Sequence, residues 1–353
     1  MPLAFDAAIT KDDIANLVEL KFTYDTDNKG NQIKIGSGKV FLLVGPADEK
    51  LVIKTDANIS DAGVKSANTV VKAIDKNVKV KVLDAAEKKA LVDWVTDWEA
   101  EEAWFKKEMG KEYRADEKDA VESLKFSVNY KGPEPWFKMA ALELKDLDGA
   151  LKKRLDGDKS EMKAFIKTLT AKGGLEKLGQ VIAADMFNGN TDRFLPVWAF
   201  GVGQAGAGKT IGKKHFAFKT LVNLGNVFIA STKAGLEVSA LDFVDPGSQF
   251  KDITQPLAAA EATAKYPWTG KALSDKKLRE AFAADIAADL ELVVNPKKSK
   301  LSPFTKLGKD AASRLSAGMV TGAQAIKKKL EAKYKAPMAA GIKERYDLMA
   351  SVK

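Results

Sequence analysis

The sequence predicts an α+β protein in two lobes: a strand-rich N-terminal lobe and a mostly helical C-terminal lobe with a helical C-terminal extension. Three observations predict it. Short alternating or apolar runs bounded by Gly, Pro, Asn and Asp dominate up to Thr55 and recur at 78–83 and 136–144. From Ser160 onward, apolar residues fall at helical spacing, as in Leu175, Leu178, Val181, Ile182 and Met186. Between Gly189 and Phe243, three polar clusters each sit at the edge of an apolar run.

The elements follow in order. Residues 1–16 form a short amphipathic lead-in, and Leu17–Tyr24 is a strand candidate ending at the turn-rich Asp25–Asn31. The next strand, Ile33–Val44, is interrupted by Gly36 and Gly38. A turn at Gly45–Glu49 then leads into Lys50–Thr55. Paired glycines on one strand and Lys54 near the end of the next suit a hairpin whose backbone approaches phosphates while the lysine adds a point charge. A bulge and a solvated lysine read equally from the same residues. Ser60–Ile74 is helical, with Val64, Ala67, Val70, Val71 and Ile74 on one face. The carboxylates near it are Asp61 and Asp75, and no Glu sits mid-helix to face Lys54.

Val78–Leu83 alternates as a strand. Ala85–Lys111 is a long helix whose Trp94, Trp98 and Trp104 read as core, and a helical insert extends to about residue 125. Trp136–Leu144 is an apolar strand, and Lys145–Leu151 is a polar link into helices at Ser160–Thr170 and Gly174–Phe187. The remainder is Ala- and Lys-rich and helical over 276–293, 311–334 and 337–351. The expected domains are therefore 1–144, 145–250 with an inserted Gly/Lys loop at about 195–222, and 251–353.

Composition narrows the chemistry. The chain has no cysteine and a single histidine, His215, so thiolate, disulfide and histidine-triad chemistry is excluded or nearly so. Catalysis, if any, runs on Asp, Glu, Asn, Lys and Arg. The formal charge of +9 is carried by lysines that mostly alternate with acids, as in 84–111, so a nucleic-acid partner is not expected; no amphipathic membrane-docking stretch stands out, so a protein substrate is preferred over a lipid. No apolar run is long enough to span a bilayer, and Met1–Asp13 lacks the layout of a signal peptide, which predicts a cytoplasmic protein.

Two motifs compete for a nucleotide. The first is the ordered set of Asp192 in Asn190-Thr191-Asp192-Arg193, Asn226 in Gly225-Asn226-Val227-Phe228-Ile229, and Asp242 in Ala240-Leu241-Asp242-Phe243. Phosphoryl transfer from Mg-ATP needs one carboxylate to orient the attacking hydroxyl, with an amide oxygen and a second carboxylate for the metal. The second is Gly203–Thr210, a match to the P-loop pattern GxxxxGK[ST] with Lys209 and Thr210 in the phosphate and metal positions. A P-loop opens a helix, whereas 214–221 alternates like a strand, so a loop between two hairpin strands is the other reading of that motif.

The first set resembles the catalytic core of the atypical kinases of the actin-fragmin kinase and phosphatidylinositol-kinase type. The likeness carries through Lys54 in Val-Ile-Lys and the 137–144 strand, over roughly residues 33–245. It implies a two-lobed protein-kinase-like fold with ATP and Mg²⁺ as cofactors. It further implies Asp192 and Arg193 as catalytic residues, and Asn226 and Asp242 as metal ligands. Lys54, Gly36, Gly38 and Leu144 would line the nucleotide. A P-loop NTPase and a non-enzymatic interaction protein on a degenerate kinase fold are the alternatives.

Overall fold

The computed structural model describes residues 3–17, 19–22, 24–26, 32–34, 39–55, 60–110, 121, 136–195, 209–211, 214–243, 254, 271–296, 304–334 and 338–353. The chain is α+β and divides into two compact units, 1–65 with 79–141, and 66–78 with 142–353. The first boundary falls close to the expected residue 144. The return of 66–78 to the second unit was not expected.

The first unit is built on an antiparallel five-stranded sheet. Its strands are β1 (Glu19–Phe22), β4 (Lys39–Val44), β5 (Lys50–Thr55), β7 (Trp136–Ala140) and β6 (Val80–Val82), in that spatial order. A separate pair, β2 (Tyr24–Thr26) and β3 (Gln32–Lys34), lies between β1 and β4 in sequence. The hairpin Gly45–Glu49 connects β4 to β5. It turns at Asp48 with φ 60°, and Glu49 O accepts from Gly45 N at 2.8 Å.

Register divides the sheet into two faces, because residues opposite one another and two apart share a side. Phe41, Leu43, Leu51, Ile53, Trp136 and Lys138 share one face. They join a buried core with Leu91, Trp94, Val95 and Trp98 of helix α3 (Ala85–Met109). The tryptophans at 94 and 98 are therefore core, as their spacing suggests, whereas Trp104 is 60% exposed. Helix α3 starts at a capping box between Asp84 and Glu87 and stops at Gly110, whose φ of 62° suits a residue without Cβ.

Fully buried Lys138 donates to Glu87 Oε1 at 2.6 Å and also to Ala7 O, while Ile9 N donates to the same Glu87 oxygen at 3.1 Å. One ion pair thereby fastens the N-terminal segment, the third helix and the sheet together. Burial works to raise the Glu87 carboxyl, but Lys138 and the amides of Asp84 and Ile9 prevail and hold it below its ordinary range.

The second unit contains a three-stranded antiparallel sheet: β8 (Leu144–Asp146), β11 (Phe228–Thr232) and β12 (Gly235–Ser239), with β11 central. Asp146 caps α4 (Leu147–Leu155) by accepting from Gly149 N at 2.7 Å, so the expected polar link is already a helix start. Helices α5 (Ser160–Thr170) and α6 (Gly174–Asn188) follow, and later in the unit the described residues form α7 (Lys271–Ser274), α8 (Lys276–Val294), α9 (Ala311–Lys333) and α10 (Ala340–Ala350).

Helices α6 and α9 cross on glycines. A Cβ on Gly179 would lie 2.2 Å from Leu315 O, and one on Gly318 would lie 2.1 Å from Glu176 O. Arg314 seals the same crossing, with Nη2 2.8 Å from Glu176 Oε2.

Helix α2 (Asp61–Ile74) follows β5, and its C-terminal part belongs to the second unit. Lys333 Nζ donates to Thr69 Oγ1, Lys177 Nζ donates to Ile74 O, and Ala240 N donates to Asp75 Oδ2 at 3.0 Å. These three bonds are the physical reason that 66–78 leaves the first unit. Among the described residues no helix is long and apolar enough to cross a membrane.

Candidate active site

Helix α6 delivers the first motif. It ends at Gly189 with φ 71°, and the next amide, Asn190 N, donates to Asp185 O at 2.8 Å, so the chain folds back over its last turn. The loop then runs beside residues 219–222. Leu195 N donates to Thr220 O at 2.8 Å, Val222 N donates to Arg193 O at 3.1 Å, and Phe194 bridges Leu221.

Buried Asp289 of α8 holds that neighbouring segment from behind. It accepts from the amides of Thr220 at 2.6 Å and Leu221 at 2.8 Å, and from Lys219 N at 3.0 Å. Asn223 Oδ1 then accepts from Gly225 N at 3.0 Å and starts the 3₁₀ turn Leu224–Asn226, which feeds β11.

This path brings Asp192 and Asn226 together across 34 residues. Asp192 Oδ2 accepts from Asn226 Nδ2 at 2.6 Å and from Asn223 Nδ2 at 3.2 Å. With its nitrogen spent on Asp192, the Asn226 amide turns its oxygen the other way. The third motif arrives after β12: Ala240 is held by Asp75, and Asp242 adopts φ 59°. Left-handed backbone at a non-glycine residue is uncommon and tends to persist where the surroundings enforce it, frequently at functional sites.

Arg193 and Asn190 enforce it here. Buried Arg193 donates through Nη1 to both oxygens of Asp185, at 2.6 and 2.5 Å. Its Nε reaches Asn226 O at 2.5 Å, and its Nη2 reaches Leu241 O. Asn190 Nδ2 donates to Asp185 Oδ1 at 3.0 Å and to Asp242 O at 2.9 Å, while its Oδ1 accepts from Asp192 N at 3.1 Å. Burial pushes the Asp185 carboxyl up to about 6, against the opposing pull of Arg193. At neutral pH it is the counter-charge of Arg193.

The sequence-predicted residues thus separate into groups. Asp192, Asn226 and the Asp242 backbone lie in one hydrogen-bonded constellation. Arg193, expected as catalytic, is instead a buried clamp whose guanidinium is spent on Asp185 and on backbone carbonyls of two motifs. Leu144, expected beside the nucleotide, is a strand residue paired with Ala230. Lys54 is buried in the first unit and shares a sheet face with Val40, Leu42, Val52 and Met139. The buried lysine–carboxylate pair of that unit, Lys138–Glu87, belongs to the opposite face. Gly36 and Gly38 lie outside the described residues.

Of the P-loop motif Gly203–Thr210, the described residues include only the C-terminal end. Residues 203–208 lie outside the described residues, but Lys209–Ile211 is a strand (β9) paired antiparallel with Lys214–Phe216 (β10). A P-loop threonine should instead begin a helix whose amides face the phosphates.

Asp185, Asn223 and Asp289 were missed from the sequence. Two of them carried a legible signal. Asp185 falls three residues after Ile182 on the apolar stripe of α6, and Asp289 falls three after Ile286 on that of α8, so each is an acid on a buried face.

The side-chain oxygens of Asp192 and Asn226 are of the kind that suits a hard cation. Among the described residues no group of three or more His, Asp or Glu could hold a metal. No protein-family model, curated protein or solved structure matches the chain.

Proposed function

We propose that the protein is an ATP- and Mg²⁺-dependent phosphotransferase of atypical kinase type, moving the γ-phosphoryl of ATP to a hydroxyl, preferably on a protein. The observation that carries the reading is the Asp192–Asn226 contact at 2.6 Å, made by two motifs that the resemblance pairs and the sequence separates. Support comes also from the first unit. Its antiparallel sheet, in the order β1-β4-β5-β7-β6 with a helix between β5 and β6, is compatible with the N-terminal lobe that the resemblance implies.

In this reading Asp192 accepts a hydrogen bond from the acceptor hydroxyl and aims its oxygen. Two amides, from Asn223 and Asn226, hold the carboxylate in place so that little reorganisation is left for the reaction. Asn226 and Asp242 hold Mg²⁺, which offsets charge on the phosphate oxygens when bound. Arg193 contributes rigidity, since it fixes the backbone carbonyls of Asn226 and Leu241.

Mg²⁺-dependent ATP turnover of the wild type, Asp192→Ala, Asp242→Ala and Lys209→Ala tests the proposal. Loss of at least 100-fold in both aspartate variants, with Lys209→Ala within about twofold of wild type, is expected. Loss confined to Lys209→Ala would return the function to a P-loop.

A further inference from the structure

We infer that Asn190 is a positioning residue that locks the hydroxyl-orienting loop to the metal-binding loop, so that the metal site is assembled only when Asp192 is in place. The inference rests on the phosphotransferase reading and concerns a residue to which that reading assigns no role. Asn190 is fully buried, and its side chain makes three hydrogen bonds in three directions. Its oxygen takes the Asp192 amide at 3.1 Å. Its nitrogen is shared between Asp185 Oδ1 at 3.0 Å and Asp242 O at 2.9 Å.

The chemistry requires an amide at this position. The oxygen must accept from a backbone N–H while the nitrogen donates to two acceptors, and among neutral side chains of this size only asparagine offers one acceptor and two donors on one planar group. An aspartate would keep the acceptor and lose both donors. An alanine would remove the bonds to the Asp192 amide and to Asp185 Oδ1 and leave Asp242 O only the longer one from Arg193 Nη2.

The consequence for Asp242 is specific. Its φ of 59° is held by Asn190 and Arg193 gripping successive backbone carbonyls, Leu241 O and Asp242 O. Arg193 reaches Asp242 O only at 3.5 Å, so Asn190 is the closer of the two at that carbonyl. Without Asn190 that carbonyl keeps only the longer bond from Arg193, so the left-handed backbone of Asp242 would be held less firmly and its carboxylate less firmly placed for a metal. Asn190 therefore acts on metal affinity and kcat, and leaves the protein's grip on the nucleotide base unchanged.

The test is Mn²⁺ binding, followed by electron paramagnetic resonance in the presence of the β,γ-imido analogue of ATP, alongside kcat and KM for ATP. Wild type, Asn190→Ala, Asn190→Ser and Asp242→Ala are compared. Asn190→Ala is expected to weaken Mn²⁺ by about 10- to 100-fold and to lower kcat similarly, with KM for ATP within about twofold. Asn190→Ser guards against loss of the fold. Its single hydroxyl cannot donate to both Asp185 and Asp242, so Mn²⁺ affinity falls in a protein that still melts cooperatively. Wild-type Mn²⁺ affinity in both Asn190 variants, with Asp242→Ala impaired, would overturn the inference and leave the phosphotransferase reading standing. Failure of the wild type itself to bind Mn²⁺ with the analogue would overturn both.

Discussion

Asp192 and Asn226 stand 34 positions apart in the chain and 2.6 Å apart in space. The chain between them leaves and returns beside itself. Phe194 bridges Leu221, and within the excursion Lys209–Ile211 pairs with Lys214–Phe216. Such an excursion adds little to the cost of the fold, because loop-closure entropy grows only logarithmically with length. What fixes the contact is the clamp beneath it.

That clamp can be broken. Arg193→Ala leaves Asp185 as a buried, uncompensated carboxylate and frees the Asn226 and Leu241 carbonyls. Losing one partner of a buried ion pair costs about 3–5 kcal/mol. Urea denaturation of the variant should show a loss of that order, with ATP turnover lost even in the fraction that remains folded. A variant with wild-type stability would remove Arg193 from the role assigned here.

The crossing of α6 and α9 gives a second stability prediction. Gly318→Ala places a methyl 2.1 Å from Glu176 O, where only backbone movement can make room. Forcing the helices apart should cost about 1–3 kcal/mol or more, since overpacking of a close contact is charged at that rate. Thermal melting checks it: a drop of several degrees is expected, and an unchanged midpoint would show that the helices separate freely.

Two buried carboxylates should respond to pH in opposite directions. Asp185 is pushed up to about 6 in the folded state, above about 3.9 for an unfolded aspartate. The native protein thus holds the Asp185 proton more tightly, and this contribution to stability declines as pH rises from about 4 to 6. Glu87 is held below its ordinary range, so its contribution is present above about pH 4.3 and is lost as pH falls through the folded-state value. Urea midpoints measured from pH 3 to 7 should show the first slope removed by Asp185→Asn and the second removed by Glu87→Gln. An unaltered slope in either variant would refute the assignment to that residue. The slope is the readout, because both variants lose absolute stability.

Much of the secondary structure was legible because it is periodic. The helix read over 60–74 runs Asp61–Ile74, the strand read over 78–83 runs Val80–Val82, and the helix read over 311–334 runs Ala311–Lys333. Asp192, Asn226 and Asp242 were legible as residue types at the edges of apolar runs. Their supports were not. Asn190 and Arg193 act on backbone carbonyls and an amide, and nothing about Leu241 O or the Asp192 amide is written in a side chain. The place of Leu144 is likewise decided by a backbone strand partner, Ala230. The departure of 66–78 from the first unit depends on Lys177 and Lys333, which are distant in sequence and unremarkable among 57 basic residues.

The most direct test of the central claim is transfer of label to a protein acceptor, or to the protein itself, from ATP carrying radioactive phosphorus at the γ position or at the α position. The account predicts γ-label incorporation that requires Mg²⁺ and falls at least 100-fold in Asp192→Asn, with no incorporation from α-labelled ATP. Incorporation of the α label, or γ-label transfer that survives Asp192→Asn, would contradict it.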